Sequence, residues 1–189
     1  MVTVIHGMGD PSWVSVGGAV VAQPYVVVGG SGVLAPLGRL LAGPKAITVG
    51  ISRGNRLARG DWDQRVALDA HDAGALRQFG SRYSKVEAVI AYEPALSQQG
   101  WEVLTRLARR RVIVLPSRYA DPESSQRSLE GWLAPGGVTS VQLGWAGPAD
   151  RPHWHTADEI SEVAFRALSC AAGSRLVLGR IKPWSERPR

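Results

Sequence analysis

Short apolar runs recur along the chain, each closed by glycine, proline or a charged residue. They are Tyr25–Val28, Ala46–Ile51, Arg65–Leu68, Ala88–Ala91, Val112–Leu115, Val138–Leu143 and Arg175–Leu178. Runs of this length with such punctuation read as strands buried on both faces. Helical stretches lie between most of them: Leu34–Ala42, Asp72–Tyr83, Leu96–Arg110, Pro122–Trp132 and Thr156–Ala171. The link from Ser52 to Gln64 reads as a loop or short turn. Strands alternating with helices predict a Rossmann-type α/β domain. The expected sheet is doubly wound and mostly parallel, with about seven strands in the order 3-2-1-4-5-6-7 and helices on both faces.

Residues 1–23 stand outside this rhythm. Val2–Ile5 and Ala19–Ala22 could pair as a β-hairpin around a glycine-rich turn, giving an N-terminal extension ahead of a single domain over 24–189. His6, in that extension, reads as structural or solvated. Near the other end, Thr156-Ala157-Asp158-Glu159 forms a capping box, in which the Thr156 hydroxyl and the Glu159 carboxylate each satisfy the other's backbone amide. The apolar stripe Ile160, Val163, Ala164, Ala167 and Leu168 follows at helical spacing. Asp158 and Glu159 are therefore read as helix-start residues, not as a catalytic pair.

Composition narrows the class. No apolar run reaches the roughly 18 residues that a membrane span needs; Val14–Val28 is broken by Gly17, Gly18, Gln23 and Pro24. No basic leader precedes an apolar segment at the start, so a cytoplasmic protein is expected. The single cysteine, Cys170, cannot form an internal disulfide and reads as a buried structural thiol. The net charge of +6 invites a nucleic-acid reading, but the basic residues cluster at Arg106, Arg109, Arg110 and Arg111, where a predicted helix ends and cations complement its dipole. Aromatic and basic residues are not interleaved as in single-strand binders. A small-molecule ligand is preferred over nucleic acid.

The chemistry concentrates after the first strand. Tyr25–Val28 runs into Gly29-Gly30-Ser31-Gly32-Val33-Leu34-Ala35, and Gly30-x-Gly32-x-x-Ala35 satisfies the dinucleotide-binding pattern. Here the first glycine would permit the turn, the second would admit a pyrophosphate and the small third residue would let helix and strand pack closely. Pro36 suits the first helical turn. At the end of the second strand, NAD-preferring domains carry an acid for the ribose hydroxyls. This chain instead carries Ser52, Arg53 and Arg56. A hydroxyl and guanidinium groups suit a 2′-phosphate, so NADP(H) is the expected cofactor.

With these residues in place, the chain resembles the short-chain dehydrogenase/reductase superfamily, and within it a small, atypical branch. The resemblance runs from Tyr25 to about Leu178. It rests on Gly29–Leu34, Ile51-Ser52-Arg53, Leu68-Asp69-Ala70 and Gln142-Leu143-Gly144-Trp145 followed by Trp154–Ser161. It implies that Asp69 and Ala70 contact the adenine, that Ala91 and Tyr92 lie along the nicotinamide-side ribose, and that Ser117 falls where the superfamily places its catalytic serine. The sequence departs from the pattern after Ser117. Tyr119 is too close to Ser117 to be the superfamily's tyrosine, and no lysine follows four residues after a tyrosine; the three lysines are Lys45, Lys85 and Lys182.

Hydride addition to an iminium carbon needs no proton, so reduction of C=N, or of an activated C=C or C=O bond, is open to such a chain. Candidate proton donors are Tyr92, Glu93, Ser117, Tyr119 and His155. His153 and His155 lack partners at zinc-ligand spacing, and no metal is expected. Trp13, Trp101, Trp132, Trp145 and Trp154 would serve core, interface or pocket. The amphipathic stretch Leu96–Arg110 suggests a homodimer. The leading expectation is an NADP(H)-dependent oxidoreductase acting on a small organic substrate, with specialised metabolism as one setting for it. The alternatives are a non-redox protein using the same pocket, as an NADP sensor or a cyclase or isomerase, and a basic nucleic-acid-binding domain.

Overall fold

The computed structural model describes residues 3–4, 23–54, 60–83, 85–121 and 127–188. Among these, Pro24–Val28 (β2), Ile47–Ser52 (β3), Gln64–Ala67 (β4), Val86–Tyr92 (β5), Ala108–Leu115 (β6), Val138–Leu143 (β7) and Arg175–Leu178 (β10) form one parallel sheet. Its order is β4-β3-β2-β5-β6-β7-β10. Counted from Pro24, that is the expected 3-2-1-4-5-6-7. Thr3–Val4 (β1) adds to the outer edge, antiparallel to β4, with Thr3 opposite Ala67. The first arm of the expected hairpin is thus seen on the main sheet; its second arm, Ala19–Ala22, lies outside the described residues. Trp145–Ala146 (β8) and His153–Trp154 (β9) make a small antiparallel pair.

Alternate residues of each central strand enter two separate cores. Val26, Val28, Ile113 and Leu115 face α2 (Ala73–Gly80), α3 (Gln98–Leu107) and α4 (Arg127–Leu133), where Leu76, Phe79, Trp101, Leu104 and Trp132 are buried. Val27, Ile90, Val112 and Val114 face α1 (Leu37–Leu41) and α5 (Ala157–Ala167), through Leu37, Leu41, Ile160 and Ala164. Helices therefore cover both faces, as an all-parallel sheet requires.

Three local expectations change. First, α1 is only five residues long. The segment from Gly29 to Pro36 runs as successive turns, with Ala35 N–H donating to Gly32 O and Leu37 N–H to Leu34 O. Second, α3 stops at Leu107, and Arg109–Arg111 belong to β6. The ladder with β5 begins at Ala108 opposite Val86, and the Arg111 guanidinium donates to the carbonyls of Thr105, Pro135 and Gly136. Sheet pairing overrides the helical pattern there. Third, Cys170 is exposed, because α5 ends at Ala167 and its buried stripe is complete before the cysteine is reached.

The capping box of α5 is present as read. Glu159 N–H donates to the Thr156 hydroxyl at 3.3 Å, and Thr156 N–H donates to the Glu159 carboxylate at 2.8 Å. These bonds hold the Glu159 carboxyl below the usual glutamate range, the backbone amide of Thr156 contributing most. A lowered folded value gives stability that is present above the unfolded pKa and lost as the pH falls through the folded one. Thr156→Ala is expected to cost about 1 kcal/mol in urea unfolding at neutral pH. The deficit should shrink in acid; one that does not change with pH would contradict the coupling to Glu159.

Candidate functional site

Ligands of doubly wound sheets bind beyond the carboxyl ends of the strands, where the strand order reverses. Here that point lies between β2 and its neighbours β3 and β5. A cleft of about 530 Å³ opens there. The glycine turn forms one wall through Gly29, Ser31, Gly32 and Val33. The ends of β3 and β4 supply Ser52, Arg53, Leu68 and Ala70, and the end of β5 supplies Tyr92 with Pro94 and Ala95.

The glycines divide the work differently from the pattern's usual assignment. Gly29, not Gly30, takes the positive φ, +93°, that makes the turn. Gly30 is buried, and a Cβ there would stand 3.0 Å from the Trp62 ring. Gly32 is exposed, and a Cβ there would meet only the Gly29 carbonyl, at 3.7 Å; its open side is the cleft. The amides of Gly29 and Gly30 both donate to Ile51 O, and that of Gly32 to Gly29 O. The Ser31 and Val33 amides donate to no acceptor among the described residues. They, with the amide of the buried Leu34, are the turn's donors without an acceptor among the described residues.

Trp62 is the residue that sequence reasoning missed. Its indole is 7% exposed and lies under the turn, donating from Nε1 to Gly30 O at 3.0 Å. Ideal Cβ atoms at Gly38 and Gly50 would come within 3.2 and 2.7 Å of the same ring. The segment leading into β4 is pinned beside β3 by Asp63, whose carboxylate accepts from the Thr48 amide at 2.8 Å and hydroxyl at 2.9 Å. A close approach to α1 is made at Gly38, where a Cβ would collide with the Asp61 carbonyl in the segment leading into β4.

The end of β3 carries the polar groups of the cleft. Ser52 is 8% exposed, and its hydroxyl has no hydrogen-bond partner among the described residues. A buried polar atom without a partner is rare and asks for an explanation. Arg53, next to it, is exposed. A hydroxyl and a guanidinium side by side can hold a phosphate group. Arg56 lies outside the described residues. Asp69 does not line the cleft; it borders a neighbouring hollow with Asp72 and Gln78. Its carboxylate accepts from the His71 amide and ring nitrogen, both at 3.1 Å, and the amide bond is the main cause of its lowered pKa. Leu34 and Ala91 put their side chains in the two cores.

Of the five candidate proton donors, Tyr92 alone lines the cleft. Burial raises its phenol pKa, with the nearby Arg118 opposing, so Tyr92 is a neutral O–H donor. Glu93 and Tyr119 meet each other. The Tyr119 hydroxyl donates to Glu93 Oε1 at 2.8 Å, the Trp132 indole donates to that hydroxyl at 3.0 Å, and Arg118 pairs with Glu93 Oε2. This half-buried clamp ties the ends of β5 and β6 to α4. Ser117 is half-buried at the start of the short 3-10 turn after β6. His155 is buried against Gly179, 3.5 Å from Glu159. Among the described residues, no three His, Cys, Asp or Glu side chains cluster as metal ligands would, and no helix is long and apolar enough to cross a membrane.

No family model matches the chain, and no curated protein matches it in sequence. Solved structures do match. A short chain dehydrogenase from Burkholderia cenocepacia J2315 in complex with NADP superposes with a TM-score of 0.58 at 17% identity, covering 85% of this chain and 89% of that one. BdcA in complex with NADPH gives 0.53 at 14%, over 86% and 95%. A small-chain dehydrogenase in complex with NADPH gives 0.52 at 16%, over 83% and 96%. The chain shares the Rossmann-type α/β fold of these structures. In that fold the strand carrying the glycine turn is central, and the cleft described above stands at its carboxyl end.

Proposed function

We propose that this chain is an NADP(H)-dependent oxidoreductase of the short-chain dehydrogenase type, reducing a small organic substrate at a C=N, activated C=C or C=O bond. The observation that carries the reading is the buried hydroxyl of Ser52, without a partner among the described residues, beside Arg53 at the end of β3. That pair suits a ribose phosphate and lacks the carboxylate that holds bare ribose hydroxyls in NAD-preferring domains. The solved structures of the same fold that contain NADP or NADPH support it.

In this reading Ser52 and Arg53 hold the ribose phosphate. Leu68 and Ala70 bed the purine, and the Ser31 and Val33 amides with the open edge of Gly32 receive the diphosphate. A bound NADPH would supply a hydride equivalent. Tyr92, protonated at neutral pH, is the residue placed to donate to a developing negative charge. Self-association as a homodimer belongs to the same proposal. It must use a surface other than the apolar stripe of α3, because Trp101 and Leu104 are buried within the chain and Gln98, Gln99, Glu102 and Arg106 face outward.

A second reading, a non-redox NADP(H)-binding protein, is favoured by one observation: Glu93 and Tyr119 are engaged with Arg118 and Trp132 and not turned to the cleft. One experiment separates the two. Nicotinamide fluorescence should shift on mixing NADPH with the protein under both readings. Loss of nicotinamide absorbance with a panel of cyclic imines and enones is expected under the first alone. Absence of any shift at millimolar NADPH would falsify both.

A further inference from the structure

The ends of β5 and β6 meet at one charged pair. Tyr92 and Pro94 line the cleft, and Glu93 stands between them in the chain. Glu93 is buried, and both of its carboxylate oxygens are taken: the Tyr119 hydroxyl donates to Oε1, and Arg118 Nη2 donates to Oε2. Arg118 is engaged far less completely. Its side chain is 55% exposed, where that of Glu93 is 9% exposed, and only Nη2 donates to an acceptor among the described residues. The guanidinium also lies over the Tyr119 ring, 5.3 Å from its centroid. A buried carboxylate on one nitrogen and a ring beneath the plane hold this arginine in a fixed pose. The donors of a guanidinium form a planar fork that fits a carboxylate. A fork already held in place loses less freedom on binding than a loose side chain does. The Arg118 charge also acts on the Tyr92 phenol, opposing the rise that burial gives its pKa. A half-exposed guanidinium and a neutral O–H donor therefore share one end of the cleft.

Resting on the oxidoreductase reading, we propose that the substrate carries a carboxylate on the carbon that is reduced, as a 2-oxo acid or its 2-imino counterpart does, and that Arg118 binds this carboxylate. Tyr92 then serves the heteroatom of the reacting bond. In the reduction of a 2-oxo acid by NADPH, C2 gains the hydride as a new C–H bond and the C=O π pair moves to oxygen. Tyr92 gives that oxygen a proton, which water restores. The products are NADP and a 2-hydroxy acid. Because Glu93 offsets the charge of Arg118, the contact is one of hydrogen bonds more than of net charge. Lysine, with the same charge and no fork, can replace the ion pair but not the contact.

Two measurements on the full chain test this. In the first, oxamate, an unreactive analogue of a 2-oxo acid, is titrated calorimetrically into protein saturated with NADPH. Oxamate should bind, and Arg118→Lys should weaken it by about 10–100-fold while the Kd of NADPH stays within about twofold. In the second, loss of nicotinamide absorbance is followed with pyruvate, 2-oxobutyrate and phenylpyruvate and with their methyl esters. At least one acid should be reduced, with a kcat/KM about tenfold or more above that of its ester. This comparison uses the unaltered chain and decides alone if the lysine variant does not fold. Absence of oxamate binding, equal binding by Arg118→Lys, esters reduced as well as acids, or no acid reduced each overturns the inference. NADPH binding and reduction of imines or enones without a carboxylate would then leave the oxidoreductase reading standing. If NADPH itself does not bind, that reading falls, and this one with it.

Discussion

Replacing Trp62 with alanine is expected to destabilise the fold by about 3–5 kcal/mol, the usual cost of emptying a buried aromatic site. The slot cannot refill easily. Its walls are Gly30, Gly38 and Gly50, which have no side chains to swing inward, so the cavity would persist. The substitution also strips the Gly30 carbonyl of the indole N–H that holds it at 3.0 Å. The turn should loosen, and NADPH binding should weaken along with stability. Trp62→Phe separates the two roles: it keeps most of the packing, loses the hydrogen bond, and should cost about 1 kcal/mol beyond the small volume change. Urea unfolding of the three proteins measures this. A loss below about 1 kcal/mol for the alanine variant would mean that the indole is not what shapes the turn.

The second large effect is on ligand choice. Arg53→Glu is expected to weaken NADPH by about 10–100-fold, since one charge-assisted phosphate contact is worth about 1.5–3 kcal/mol and each 1.4 kcal/mol is tenfold. NADH, which lacks the 2′-phosphate, should change only slightly. Arg53 is exposed, so the difference should narrow as salt is added. Parallel titrations with the two dinucleotides read it directly. An equal loss for both would remove the phosphate assignment and leave Arg53 as an ordinary surface charge.

The fold was legible in the sequence because a parallel sheet buried on both faces writes each strand as an unbroken apolar run. Val26–Val28, Ile90–Ala91 and Val112–Leu115 serve both cores by alternation, and no amphipathic ambiguity arises. The glycine turn and the Ser52–Arg53 step were legible for a similar reason: both are local signals, a few residues long. What was not legible depends on contacts between distant segments. Arg109–Arg111 continue a good helical pattern and are drawn into β6 by pairing with β5. Glu93 and Tyr119 look like free strand-end donors until the fold brings them to 2.8 Å from each other. Trp62 sits in a stretch that reads as loop. Its one sequence signal was indirect: Gly38 and Gly50 interrupt a helix and a strand without any turn to justify them, and an isolated glycine inside an element points to a close approach by something bulky.

The order of the sheet has a kinetic consequence. β2 lies between β3, its next strand in sequence, and β5, which pairs Ala88 with Tyr25 across a long stretch of chain. Closing so large a loop is slow, and parallel pairings of this kind set the pace of folding. The glycine turn and the end of β3 can come together early, but Tyr92 and Ala95, whose Cβ atoms flank Gly29, arrive only when β5 docks. Until then β2 has an unpaired edge and the cleft lacks a wall. A nascent chain therefore presents only part of the cleft, and ligand stabilises most the molecules that have already completed the slowest step.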